Sequence, residues 1–336
     1  MAVTTLPDRA AHARAFTDAD EPRVLDILQK AFNGWLGDVE GVGASEFFRW
    51  KHMHGPFGPS TLLVAEADDV TIGFGAYLPW RFWAGGELLT ATRGVDFAVD
   101  PACHYRGASM ALRAAANHPR DVAFMWANPN GRSRPGSIKA GEHQVGKLPR
   151  YVRAARPLSK AIRRVGHKDP APPWLSVEAE SAAEVLRDEA RVSQLLARVK
   201  RPSDRLATAK DVAFLRWRYG RLGDYRAVRA GAGDGAGIAI FRISRRGPLW
   251  ISKVCELLVE HDDVRSARHL LRRVGQAADA DVITCMFPSR RHAALCGFIA
   301  AAGATNLIAR PFHKHLTPDP TQRLSWALSH GDLELI

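Results

Sequence analysis

The chain repeats itself at a distance, and that repeat limits what it can fold into more than any other feature. Phe47-Phe48-Arg49-Trp50-Lys51-His52 returns as Phe214-Leu215-Arg216-Trp217-Arg218-Tyr219, 167 positions later. Asp121-Val122-Ala123-Phe124-Met125-Trp126 returns as Asp281-Val282-Ile283-Thr284-Cys285-Met286, 160 positions later. Two motifs in the same order at nearly one offset predict a duplicated unit spanning about half the chain each time. The length of 336 residues agrees, since it exceeds the usual size of one domain. A composition of 46% hydrophobic and 24% charged residues is that of a globular protein. It excludes a chain disordered throughout, a collagen-like fibre and a coiled coil.

Periodicity and turn residues predict the same element order in each half. Asp20 is expected to open a helix through Val24, Ile27, Leu28 and Phe32, and Ser45 to cap a second one carrying the first aromatic motif. Leu62–Glu66, Thr71–Phe82 and Leu88–Val99 read as three antiparallel strands, turned at Asp68-Asp69 and Gly85-Gly86. A helix from Gly107 to Asn117, a strand from Val122 to Trp126, a short helix over Arg134–Ala140 and a strand through Val145 follow. In the second half we expect helices at 181–199 and 208–219 and strands near 225–230, 237–243 and 249–258. After these come a helix at Val264–Ala277, a strand at Val282–Phe287, a helix at Arg290–Ala302 and a strand at Asn306–Arg310. Ala293–Ala304, the longest apolar run, is too short for a bilayer span and reads as a buried core helix. The fold class is therefore α+β, with two tandem domains, each a mixed and mostly antiparallel sheet flanked by helices. The expected division is 1–155, a basic proline-containing linker at 156–175, and 176–336.

Charge points to the class of partner. The net charge is +12, and Lys147, Arg150, Arg153, Arg156, Lys160, Arg163, Arg164 and Lys168 follow one another with no carboxylate between Glu142 and Asp169. This stretch is either a solvated connector or a surface for a polyanion. Met1–Arg23 has no apolar stretch of the signal-peptide kind. Cys103, Cys255, Cys285 and Cys296 share no CxxC spacing, as expected of reduced thiols in a cytoplasmic protein. His292 and Cys296 lie one helical turn apart, and His313 and His315 flank Lys314, with no further ligands to complete a metal set.

The turn after residue 100 is where chemistry is expected. A strand ends at Asp100-Pro101, and His104-Tyr105-Arg106-Gly107-Ala108-Ser109 opens an alanine-rich helix. Unpaired N–H groups and the positive end of the helix dipole make such a turn an anion site. Small residues at 107–109 equally suit close packing of helix on sheet.

The Asp100-Pro101…Tyr105-Arg106-Gly107 turn resembles the acetyl-coenzyme A loop of the GCN5-related N-acetyltransferases. Trp50-Lys51…Pro56-Phe57-Gly58-Pro59, Leu78-Pro79-Trp80-Arg81, Asn128-Pro129-Asn130…Lys139-Ala140-Gly141, Val145-Gly146-Lys147-Leu148-Pro149 and the closing Trp326…Gly331-Asp332 are similar to bacterial two-domain members. The resemblance implies acetyl-CoA, or another acyl-CoA, as co-substrate without a metal. It places Arg106, Gly107, Ala108, Ser109, Met110 and Ala111 around the pyrophosphate, Phe97, Ala98 and Val99 along the pantetheine arm, and Asn130 beside the cofactor. It offers Asp96 as the base that deprotonates an acceptor amine, although an Asp there equally serves as a hydrogen-bonded structural residue. Where the family commonly has a tyrosine acid this chain has Ser137, whose hydroxyl is a far weaker acid than a phenol. His104 and Ser109 also depart from the family's turn.

The second half lacks the loop. Glu260-His261-Asp262-Asp263-Val264-Arg265-Ser266 stands there, without glycine and with acids that repel phosphate. The implied activity is acetyl transfer to a primary amine of a small molecule or sugar by a monomer or homodimer, with the cofactor in the first half. The alternatives are an aminoacyl-tRNA-dependent transferase of the same tandem type, with the basic stretch on tRNA, and a non-catalytic acyl-CoA-binding module.

Overall fold

A computed structural model describes residues 10–32, 41–103, 107–155, 174–230, 237–261 and 263–333. The first half runs β1 (His12–Ala15), α1 (Glu21–Phe32), α2 (Ala44–His52), β2 (Thr61–Ala67), β3 (Val70–Ala84), β4 (Glu87–Val99), α3 (Ala108–Ala114), β5 (Val122–Ala127), α4 (Arg134–Lys139) and β6 (His143–Ala154). The second runs β7 (Glu180–Ser181), α5 (Ala182–Val185), α6 (Glu189–Arg198), β8 (Leu206–Thr208), α7 (Val212–Tyr219), β9 (Tyr225–Ala230), β10 (Gly237–Arg246) and β11 (Leu249–Val259). It closes with α8 (Val264–Ala277), β12 (Val282–Cys285), α9 (Arg290–Leu295), β13 (Ile299–Pro311), β14 (Trp326–Ala327) and α10 (His330–Leu333). The class is α+β, as the periodicity predicts. Most strand pairs are antiparallel; β4–β5, β11–β12 and β8–β14 are parallel.

The strand order is β1-β2-β3-β4-β5-β13-β6-β12-β11-β10-β9-β7. At its centre the halves interlock. β13 of the second half lies between β5 and β6 of the first, and β6 lies between β13 and β12 of the second. The segment expected to link them, 156–175, lies almost wholly outside the described residues.

Alternation along β2 decides which helix covers which face. Leu62 and Val64 pack with Val24, Ile27 and Leu28 of α1 and Phe48 of α2, whereas Leu63, Ala65 and Ala67 pack with Ala108 and Leu112 of α3. The largest core joins the two halves. It holds Phe47, Trp50, Trp80, Phe82 and Trp126 from the first, with Phe214, Trp217, Tyr219 and Trp326 from the second. The two echoed tryptophans meet within it, their rings stacked at 5.0 Å.

Several expected boundaries move. The cap of α2 is Gly43; Ser45 instead donates its hydroxyl to Glu21 and ties α2 to α1. The helix after residue 107 stops at Ala114. The expected helix over Arg290–Ala302 ends at Leu295, because Gly297 adopts φ +77° and turns the chain into β13 at Ile299. An alanine-rich apolar run does not distinguish helix from strand by periodicity. The helix expected at 181–199 is two, with Asp188 capping the second through Arg191 N. β1 carries no strong alternation that would reveal it in the sequence. The four cysteines are free and buried, no described helix is long and apolar enough to cross a membrane, and no group of metal-ligating side chains occurs among the described residues.

Candidate active site at the split between two parallel strands

β4 and β5 pair only as far as Arg93 and Trp126. Beyond that point β4 continues alone on β3, where a bulge sets Asp96 and Phe97 against the single residue Gly75. Asp96 takes φ +53°, a left-handed conformation that aspartate tolerates better than most residues. The bulge sends two successive side chains to opposite faces. Phe97 goes to the α3 face, its ring edge-on to Tyr77 with the Arg113 guanidinium 4.6 Å above it. Gly75 is obligatory beneath it, since a Cβ there would lie 2.7 Å from the Phe97 ring. Asp96 goes to the α2 face.

There the carboxylate receives Lys51 Nζ at 2.8 Å and His52 Nε2 at 3.0 Å. Burial raises the Asp96 carboxyl, but the Lys51 charge and then the His52 hydrogen bond outweigh it and hold it well below the usual carboxylate range. Burial pulls His52 below its ordinary value. The neutral ring then donates from Nε2 to Asp96, and Nδ1 accepts from the Ser60 hydroxyl at 3.1 Å. Asp96 is thus an ionised and weakly basic carboxylate.

The split opens a cavity of ≈ 490 Å³ that reaches both faces of the sheet. Arg113, Asn130 and Ser137 line it on the α3–α4 side, and Phe32, Lys51 and Asp96 on the α1–α2 side. Arg242 of β10 and Leu333 of α10 also line it, so the second half completes the wall. Arg93 fixes that contribution. Its guanidinium donates to the carbonyls of Asp332 at 2.6 Å and Leu333 at 2.5 Å and to Asn128 Oδ1 at 2.8 Å, beneath the Trp126 ring at 4.7 Å.

Of the residues picked from the sequence, the cavity brings together Asp96, Phe97, Asn130 and Ser137. Ser137 is buried on α4. Asn130 Oδ1 accepts from Arg132 N and Ser133 N and so shapes the loop entering α4. Ala98 is packed into the α1–α2 core and Val99 against the α3 side, away from the cavity. Gly107, Ala108, Ser109, Met110 and Ala111 form the start of α3 rather than the cavity wall. Gly107 has φ +75°, and its carbonyl takes the N–H groups of Met110 and Ala111. A Cβ on Gly136 would lie 3.9 Å from Ser109 Oγ, so the beginning of α3 faces α4. Arg106 lies outside the described residues, with His104 and Tyr105. Sequence reasoning missed Lys51, Arg93, Arg113 and Glu142. Arg113 and Glu142 form a buried ion pair at 2.6 Å on the α3 side.

The second half repeats the arrangement with different chemistry. β11 and β12 pair only as far as Lys253 and Thr284, and Cys255 bulges from the β10–β11 ladder beside Glu256. Tyr219 Oη donates to Glu256 at 2.7 Å, as His52 does to Asp96. Here the gap is narrower, ≈ 210 Å³, and Lys210 bridges Glu256 and Asp332 at 2.6 and 3.2 Å. At the start of α8 the Asp263 carboxylate accepts from the N–H groups of Arg265 and Ser266, the groups a phosphate would need.

Below the first cavity, His118 stacks on Phe312 and meets Tyr77 edge-on. Burial, helped by the Arg310 charge, pulls its imidazole from 6.5 to about 4. A depressed folded value means that the unfolded chain binds the proton first. His118 therefore contributes stability above about pH 6.5 that is lost as pH falls toward 4. His118→Phe is expected to flatten acid unfolding within that window, read by circular dichroism; an unchanged slope would show that His118 is not responsible.

No protein-family model matches the sequence, and no curated protein matches it. Solved structures do. A GCN5-related N-acetyltransferase from Anabaena variabilis superposes with TM-score 0.61 at 13% identity, over 90% of this chain and 73% of that one. A probable N-acyltransferase from Enterococcus faecalis gives 0.61 at 14% over the same shares. A GCN5-related N-acetyltransferase from Kribbella flavida gives 0.58 at 17%, over 90% and 72%. The fold is that of the GCN5-related N-acetyltransferases.

Proposed function

We propose that the protein is an acyl-CoA-dependent N-acyltransferase whose cofactor enters the first half from the α3–α4 side and whose amine acceptor enters from the α1–α2 side. The observation that carries this reading is the passage through the sheet at the β4–β5 split, with Asp96 on one face and Phe97 on the other. Such a passage lets two substrates meet end to end, and alignment of that kind supplies much of the rate of a thioester aminolysis. The start of α3 with Gly107 would seat the pyrophosphate and Phe97 would flank the pantetheine. The acyl carbonyl would then lie at the bulge.

In that reading Asp96, kept ionised by Lys51 and His52, accepts the hydrogen bond of the incoming amine and takes its proton as the C–N bond forms. A carboxylate of low basicity contributes toward the lower end of general-base catalysis, about 10²-fold. Ser137 would hydrogen-bond the departing thiolate, its proton coming through solvent. An acetyl donor and a small-molecule amine are our expectation for the two substrates, in the cytoplasm.

Calorimetric titration with acetyl-CoA tests the reading. Wild type is expected to bind, and Gly107→Glu, which sets a carboxylate and a strained left-handed residue in the pyrophosphate seat, to bind about tenfold more weakly or worse. Equal affinity in the two proteins would move the seat elsewhere, and absence of binding at millimolar ligand would remove the reading.

A further inference from the structure

Between the end of β6 and the helices α8 and α9 lies a groove that the proposed transfer reaction does not use. Arg153 of β6 and Arg268 and Arg272 of α8 line it, together with the end of α9, in a cavity of ≈ 440 Å³. No carboxylate is found among the described residues that line it. Arg268 and Arg272 are four residues apart and so share one face of α8. Arg153 reaches them from the sheet, half-buried. Its Nη1 donates to the Cys296 carbonyl at 3.1 Å, its Nη2 to the Leu271 carbonyl at 2.7 Å, and its guanidinium lies 4.8 Å over the Phe298 ring.

These partners hold the side chain in place, and none of them is an anion to compensate its charge among the described residues. Burial pulls Arg153 below the ordinary arginine value, and Arg272 and Arg268 pull it further. Three other buried or half-buried cations each have a carboxylate partner instead: Lys51 has Asp96, Arg113 has Glu142 and Lys210 has Glu256. Three like charges in one groove raise the energy of the empty protein, and an anion between them would lower it.

We propose that this groove binds a small polyanion of the class of phosphorylated metabolites. Guanidinium groups converging from a strand and a helix suit the several oxygens of a phosphate, which they grip in pairs. The volume is that of a small-ligand site, and Ile283 and Leu295 give it an apolar wall for the ligand's uncharged part. The groove lies along α8 as far as Gly275 and Gln276, near that helix's C-terminal end, away from the Asp263 cap and from α3.

Titration of the full chain with inorganic tripolyphosphate at physiological salt tests the site. Saturable binding is expected, weakened about tenfold by Arg268→Glu and further by the double variant Arg268→Glu/Arg272→Glu. Both arginines are exposed, so the variants are expected to melt no lower than wild type without ligand, and wild type is expected to gain more melting temperature with it than either variant. Gly107→Glu is expected to leave the binding unchanged, which separates this groove from the cofactor seat. Equal binding by the double variant, loss of binding in Gly107→Glu, or no saturable heat at millimolar tripolyphosphate would overturn the proposal. So would capture of a structured RNA through the same arginines without any affinity for tripolyphosphate.

Discussion

Trp217→Ala is expected to cost about 3–5 kcal/mol of unfolding free energy, the range for removing a buried tryptophan from a core. The position carries more than ring area. Trp217 Nε1 donates to the Trp50 carbonyl at 3.0 Å and Trp50 Nε1 donates to the Trp217 carbonyl at 2.9 Å, while the rings stack 19° from parallel. Each half therefore supplies the same residue to a reciprocal clasp between α2 and α7. Trp217→Phe separates the contributions, since it keeps an aromatic ring and loses the donor. It is expected to cost about 1–3 kcal/mol, for the hydrogen bond and the acceptor left unsatisfied. Because β6 and β13 are exchanged between the halves, unfolding of either variant is expected to remain one cooperative transition. Thermal unfolding followed by tryptophan fluorescence and circular dichroism reads both expectations. A loss below 1 kcal/mol for Trp217→Ala, or two separated transitions, would show that the clasp does not join the halves.

The tryptophan clasp was legible in the sequence as a repeated residue, though not as a contact. Repetition reveals that two positions serve the same local role, and says nothing of whether they touch. The antiparallel strands β2–β4 were legible because alternation and turn residues are local. The exchange of β6 with β13 was not, since a strand's partners depend on hydrogen-bonding edges far away in the chain. In the site, Asp96 stood out as an acid within an apolar strand. Lys51 did not, because a lysine in the last turn of a short helix ordinarily reads as a solvated, dipole-compensating residue. The signal was nonetheless present. Its echo is Arg218, and the pair His52 and Asp96 echoes Tyr219 and Glu256, so hydrogen-bonded partners recur together at the helix and sheet offsets. The split itself arises from a bulge opposite Gly75, and one glycine between apolar residues does not announce which ring will lie over it.

Asp96→Asn isolates what that carboxylate does. The substitution keeps the shape, and asparagine accepts the left-handed backbone at φ +53°. It leaves the Lys51 charge buried without its carboxylate, a loss expected to cost about 3–5 kcal/mol. Because the folded carboxyl is held below its ordinary value, its contribution is complete above about pH 4 and is lost as pH falls further. The variant is therefore expected to unfold more readily than wild type at neutral pH, and the difference to shrink below about pH 4. Lys51→Met added to Asp96→Asn removes the stranded charge and is expected to restore a large part of the stability, which a double-mutant cycle in urea quantifies. Restored stability also decides the catalytic question. If Asp96 takes the amine's proton, the double variant folds yet remains slower than wild type by about 10²-fold in acyl transfer. Recovery of activity together with stability would reduce Asp96 to a residue that anchors α2 beside the cavity.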